Sequence, residues 1–270
     1  MTRILAVDVG NTRAKFGVFE IGSAASPQPL KISAVQLEGV ASLAEELAQW
    51  QEDSDIDDIS DAIVAGSNPP ARSQLVDSWP WPELLPRLVD SHSDIPMRTD
   101  VDAPETVGID RLLTAWAARH LFSDRQPLVV IDSGTATTIN LTTSDGTFRG
   151  GAILPGLRLS AYALHDYTAR LPKVDADSLS ISPEKVDAPL PGRNTIDAMK
   201  SGLFWGQLGA IQEISHRLRL AAAQDYNDPG QVLQVLTGGG GRQIAGHLPD
   251  AIYVDSLALY GLALLPPALN

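Results

Sequence analysis

Cysteine is absent from all 270 residues. That removes disulfides, thiolate nucleophiles and cysteine-held zinc or iron–sulfur centres in one step. No uninterrupted apolar stretch could cross a bilayer, and the run before Asp8 in M-T-R-I-L-A-V-D is too short for a signal peptide. These absences predict a cytoplasmic protein with no membrane partner. A P-loop is missing, since G-x-x-x-x-G-K-[ST] occurs nowhere, and so is the G-x-S-x-G elbow of serine hydrolases. The five histidines, His92, His120, His165, His216 and His247, show no metal-ligand spacing.

Positive charge is also short, with 20 Lys and Arg against 33 Asp and Glu and a net charge of -13. Such a surface does not coat nucleic acid, and an anionic ligand must be held by local cations, metal ions or backbone N–H groups. What is present is ordinary globular material, 44% hydrophobic and 20% charged. A chain of this length suits two modest lobes better than one core.

The order of patterns supports two lobes. Strands are predicted over residues 3–7, 14–19 and 31–36, and a helix follows Ser42, whose partner in a capping box is Glu45. A short strand at 62–65 leads into S-N-P-P and W-P-W-P-E-L-L-P, which read as irregular connections. Helical spacing returns at 110–122, with Leu112, Leu113, Trp116 and Ala117 available for one face. A second β-β-β unit begins at Leu128 and continues through 137–142 and 147–153. Helical stretches at 156–171 and 195–222 follow, then a strand at 232–236 ending in T-G-G-G-G, then β and α. Each half opens with an apolar strand ending in D-x-G. Domains are therefore expected at 1–124 and 125–270, with the two turns facing each other across an inter-lobe cleft.

A strand that ends in Asp, Gly and Thr offers open backbone N–H groups, a hydroxyl donor and a carboxylate, the kit for phosphate and metal. One such turn is usually just an Asx turn closing a hairpin. Here D-V-G-N-T and D-S-G-T-A-T-T occupy matching places. A dinucleotide fingerprint at T-G-G-G-G fails, because Gln243 stands where the last glycine belongs. In V-G-I-D-R an acid in the first helical turn is often only a dipole partner, but Arg111 beside Asp110 sets a proton acceptor next to an anion clamp. Phosphoryl transfer to an alcohol needs that combination.

In order, D-V-G-N-T, V-G-I-D-R, D-S-G-T-A-T-T, G-G-A-I-L-P-G and T-G-G-G-G resemble the type III pantothenate kinases, bacterial enzymes of the first step of coenzyme A synthesis. That family includes proteins described as Bvg accessory factors. The similarity runs from Asp8 to D-S-L-A-L-Y-G-L-A-L-L near the C-terminus. It implies an α/β actin-like ATPase (ASKHA) fold of two ribonuclease-H-like lobes, a homodimer with the substrate site near its interface, and phosphorylation of pantothenate to 4'-phosphopantothenate by ATP. By this resemblance Asp8, Val9, Gly10, Asn11, Thr12, Arg13, Ala14 and Lys15 form the first phosphate site, where Asp8 orients magnesium (Mg2+) and Lys15 reaches the phosphates. Asp132 matches a ligand of a monovalent cation, K+ or NH4+, and Thr135 an ATP contact, while Gly238 and Gly239 lie near adenosine. Asp110 matches the catalytic proton acceptor, within a pantothenate-binding segment of Gly108, Ile109, Asp110 and Arg111. Thr195 resembles a threonine that reaches pantothenate in the other subunit, and Val101 stands where many relatives carry a tyrosine.

Two rivals remain at this level. One is a kinase of the same fold for another small alcohol, against which the G-x-D-R segment argues. The other is a regulatory nucleotide-binding protein with little turnover. Asp8, Asp110 and Asp132 together argue against the second, because a protein freed from catalysis has no chemical need of all three.

Overall fold

The structure, a computed structural model, describes residues 2–22, 26–38, 42–54, 56, 58–122, 125–175, 181, 182, 185, 186 and 188–267. They group into two compact units, Met1–Asp124 with Ser256–Asn270, and Arg125–Asp255.

The first unit opens with β1 (Thr2–Val9), β2 (Arg13–Ile21) and β3 (Gln28–Gln36), an antiparallel meander. Then come α1 (Leu43–Glu52), β4 (Ile59–Ala65), α2 (Pro69–Asp77), the short β5 (Arg87–Leu88) and α3 (Ile109–Phe122). The strands form one sheet in the order β3-β2-β1-β4-β5, with β4 and β5 parallel to β1. Leu5, Val7, Val9, Phe16, Val18 and Val64 are buried and pack with Leu47 of α1 and Leu75 of α2. Because β1 is central, it is apolar on both faces, and this explains its unbroken run. Ser42 caps α1 by accepting from the Glu45 N–H at 3.2 Å.

One expectation fails here. S-N-P-P is not an irregular connection but the start of α2, with Asn68 as its cap and prolines in the first positions. Proline is tolerated there because those N–H groups have no partner within the helix.

The second unit repeats the meander with β6 (Leu128–Ser133), β7 (Ala136–Thr142) and β8 (Phe148–Pro155), followed by α4 (Leu157–Asp166). A two-stranded ribbon, β9 (Ile181–Ser182) with β10 (Lys185–Val186), precedes the long α5 (Thr195–Gln224). The unit ends with β11 (Leu233–Thr237), α6 (Gly239–Ile244) and β12 (Ala251–Tyr253). Its sheet runs β12-β11-β6-β7-β8, with β11 parallel to β6. Phe204, Leu208 and Ile211 of α5 cover Val129, Ile131, Ile139 and Leu236. α4 stops at Asp166, short of the expected 171, where Thr168 donates its hydroxyl to the Leu164 carbonyl at 2.6 Å and Pro172 follows.

The last helix, α7 (Leu257–Ala263), groups with the first unit rather than with residues 125–255. It packs on α3 and β1, burying Leu257, Leu259 and Leu262, and Tyr260 meets Phe19 edge-on at 4.9 Å. Residue 124, the expected boundary, lies outside the described residues. Among the described residues no helix is long and apolar enough to cross a membrane.

Candidate functional site

In the first unit, the hairpin of β1 and β2 sets Asp8 directly opposite Lys15. Opposite residues of an antiparallel pair share a face, so a carboxylate and an ammonium leave the sheet side by side. The next pair, Val9 and Ala14, is buried and anchors the turn. The Gly10 N–H donates to the Arg13 carbonyl at 3.0 Å, and the Leu37 N–H donates to the Thr12 carbonyl at 2.9 Å. A segment that sequence reasoning passed over adds a third side. The Asn68 N–H donates to the Val9 carbonyl at 3.2 Å, and Asn11 Nδ2 donates to Ser67 Oγ at 3.5 Å. The turn is thus held from three directions, with Asn11 exposed.

At the start of α3, Asp110 Oδ1 accepts from the Arg111 N–H at 2.9 Å. The Thr114 hydroxyl donates to the Asp110 carbonyl at 3.0 Å, which ties down the first turn. Gly108 precedes them for a steric reason. A Cβ there would lie 2.5 Å from Asp110 Oδ1, so only glycine leaves the carboxylate its position. Arg111 is half-buried. Burial pushes its guanidinium below the ordinary value, and the Asp110 charge works against that shift. It stays cationic all the same.

In the second unit, Asp132 on β6 is paired with Thr138 on β7 and with Thr237 on β11. The residue after Thr237 is Gly238, at φ 88°, and its missing side chain decides the geometry. A Cβ at this position would lie 2.5 Å from Asp132 Oδ1 and 2.5 Å from the Ser133 carbonyl oxygen. The structure brings Gly238, expected near adenosine, also against the Asp132 carboxylate. The Gly156 N–H donates to the Thr135 carbonyl at 3.0 Å, so the end of G-G-A-I-L-P-G braces the D-S-G-T turn.

The hydroxyls of D-S-G-T-A-T-T divide into two groups. Thr135 is exposed at the turn. Ser133, Thr137 and Thr138 are buried, and Thr137 Oγ1 accepts from Gln207 Nε2 of α5 at 2.7 Å and donates to Ser133 Oγ at 3.4 Å. The Thr137 hydroxyl fastens helix to sheet, while Thr138 Oγ1 accepts from Asn140 Nδ2 within β7 at 3.2 Å. Thr195, first residue of α5, lines a groove of about 970 Å³ between α4 and α5, whose other walls include Leu159, Leu164 and Leu203.

Could these residues hold cations? Among the described residues, no group of three or more His, Cys, Asp or Glu is placed to bind a metal. That excludes an all-protein cage of side chains there, and fits a magnesium ion completed by phosphate oxygens and water, with one carboxylate such as Asp8. Gly238 lets the β11–α6 backbone approach closely against the Asp132 carboxylate and the Ser133 carbonyl.

Comparison with known proteins bears on all of this. The family model described as type III pantothenate kinase matches residues 4–217. A type III pantothenate kinase from Chlorobaculum tepidum is 39% identical over 165 residues, 61% of this chain and 57% of the relative. One from Agathobacter rectalis is 30% identical over 264 residues, 97% of this chain and 96% of the relative. The chain spans only 47 to 64% of the length of four other such relatives, the first included. Among solved structures, component A of the (R)-2-hydroxyglutaryl-CoA dehydratase of Acidaminococcus fermentans superposes with a TM-score of 0.54 at 15% identity, covering 98% of this chain and 97% of that one. At that identity the likeness shows the fold, that of the actin-like ATPases. The strand-turn signatures, the glycine-cleared carboxylates and a family match across most of the sequence agree, and the chain belongs to the type III pantothenate kinase family.

Proposed function

We propose that the protein transfers the γ-phosphoryl group of ATP to the primary hydroxyl of pantothenate, giving 4'-phosphopantothenate and ADP, the first step of coenzyme A synthesis. The observation that carries this reading is the Gly108, Asp110 and Arg111 arrangement: a carboxylate kept clear by a missing side chain, beside a half-buried cation. Asp110 accepts the hydroxyl proton as the new P–O bond forms and the bond to the ADP oxygen breaks. Arg111 pairs with the pantothenate carboxylate. Asp8 and Lys15, side by side on the hairpin, hold the metal and phosphate end of ATP, and residues 9–14 complete that turn. Asp132 serves as a ligand of K+ or NH4+, with Thr135 at the exposed turn reaching ATP and Gly238 and Gly239 near adenosine. Bound cations supply charge neutralisation at the phosphates.

The reading extends to a cytoplasmic homodimer in which Thr195 reaches pantothenate in the other subunit. Its support is the apolar groove that Thr195 lines. Light scattering that finds only single chains removes that assignment.

The test of the activity is ATP consumption with and without pantothenate, in potassium and in sodium. Turnover should require pantothenate and K+ or NH4+, and Asp110→Asn should lower kcat by about 10²–10⁴-fold. Near-native turnover of that variant with pantothenate saturating sinks the base assignment, and indifference to potassium sinks the Asp132 site.

A further inference from the structure

A second pocket, of about 150 Å³, lies on the second unit where α5, β11 and the segment before β12 meet. Its walls hold polar groups that make no hydrogen bond or ion pair among the described residues. Gln234, on the α5 face of β11, is only 7% exposed, and its side-chain amide makes no hydrogen bond among the described residues. A buried glutamine on a strand face otherwise covered by apolar residues, lining this pocket, is an anomaly that a ligand would resolve. His247 presents a second one. Its ring is held edge-on by Phe204 at 5.2 Å and Trp205 at 5.7 Å, and its Nδ1 is buried without a partner. Arg219, half-buried on α5, forms no ion pair among the described residues, and Gln212 lies two helical turns before it on the same face. Asp250 also lines the pocket and has no ion pair among the described residues.

We propose that this pocket binds a small oxyanion, with the Arg219 guanidinium as its main anchor and Gln234 and His247 as the groups that orient it. A guanidinium fork matches the oxygen spacing of phosphate or carboxylate, and the two amides supply further N–H donors. Asp250 opposes a fully ionised ligand but accepts the O–H of a monohydrogen phosphate. The volume admits an ion of this size and excludes a nucleotide. The pocket is separate from the D-S-G-T turn. Gln234 precedes Thr237, the partner of Asp132, by three residues on β11, about 10 Å along the strand. The proposal is independent of the kinase reading.

The His247 ring is the reporter. Its NMR signals, identified by their loss in His247→Gln, are followed at constant pH while the full-length protein is titrated with inorganic phosphate and, separately, with acetate. Choline chloride at matched ionic strength is the control. A saturable shift with phosphate or acetate is expected, and the tighter of the two names the ligand chemistry. Arg219→Ala should weaken that binding about tenfold or more, while the other histidine signals keep their positions. Absence of any shift with either anion overturns the proposal. So does a shift that never saturates, the mark of an adventitious ion only, or one that Arg219→Ala leaves unchanged.

Discussion

At the scale of residues, two missing side chains set the positions of two carboxylates of the proposed site. Gly108 clears Asp110, and Gly238 clears Asp132. Gly108 is the cleaner test, because the only close atom that a Cβ would meet is the end of the Asp110 side chain. In Gly108→Ala the fold should survive, with a change of about 1 kcal/mol or less in stability, while the displaced carboxylate lowers kcat by about a hundredfold. Steady-state kinetics beside a thermal melt separates the two effects. An unaltered kcat would mean that Asp110 does not need its position. Of these residues, Asp8, Asp110 and Asp132 were legible in sequence because each sits at a punctuated end of an element. The buried hydroxyls of Thr137 and Thr138 were not, since Thr is equally suited to a turn and to a strand interior.

At the scale of elements, the turn between β7 and β8 is held by a short network around Asp145. The Thr143 hydroxyl donates to it at 2.6 Å, and the Thr147 N–H and hydroxyl donate at 3.1 and 2.9 Å. The Thr143 hydrogen bond is the largest cause of a carboxyl pKa lowered to about 2; burial opposes it, and Thr147 and then Arg149 add to it. A carboxyl depressed in the folded state stabilises at pH above its unfolded value, and that contribution is lost as pH falls through about 2. The difference from the ordinary 3.8 is about 2.4 kcal/mol at full strength, and solvent screening of this half-exposed group reduces that to about 1 kcal/mol. Urea unfolding of Asp145→Asn should therefore show a loss of about that size at pH 7 that shrinks towards zero near pH 2. A gap that persists in acid would assign the loss to turn geometry instead of charge. The same scale shows why α2 escaped detection. Its first residues, two prolines after Asn68, signal a loop and a helix start equally, and no apolar stripe follows to decide between them.

For the molecule as a whole, the net charge of -13 bears on the approach of the proposed anionic nucleotide. Repulsion over the surface slows encounter, and local cations such as Lys15 act only at short range. Raising ionic strength with choline chloride at fixed potassium should increase kcat/KM for ATP by about twofold from dilute buffer to physiological salt. A fall over that range would mean that local cations govern the approach. What the sequence by itself determined was the β-β-β succession that opens each half, the D-x-G turns, the G-x-D-R helix start and the family, because those depend on residues adjacent in the chain. The partnership of Gly238 with Asp132, the bracing of the first turn by Asn68 and Ser67, and the packing of α7 with the first unit were decided only by tertiary structure. Each joins segments far apart in sequence, and the physical reason is common to all three. Parallel pairing and helix packing are set by what the remaining apolar faces can cover, and no local pattern records which distant face that is.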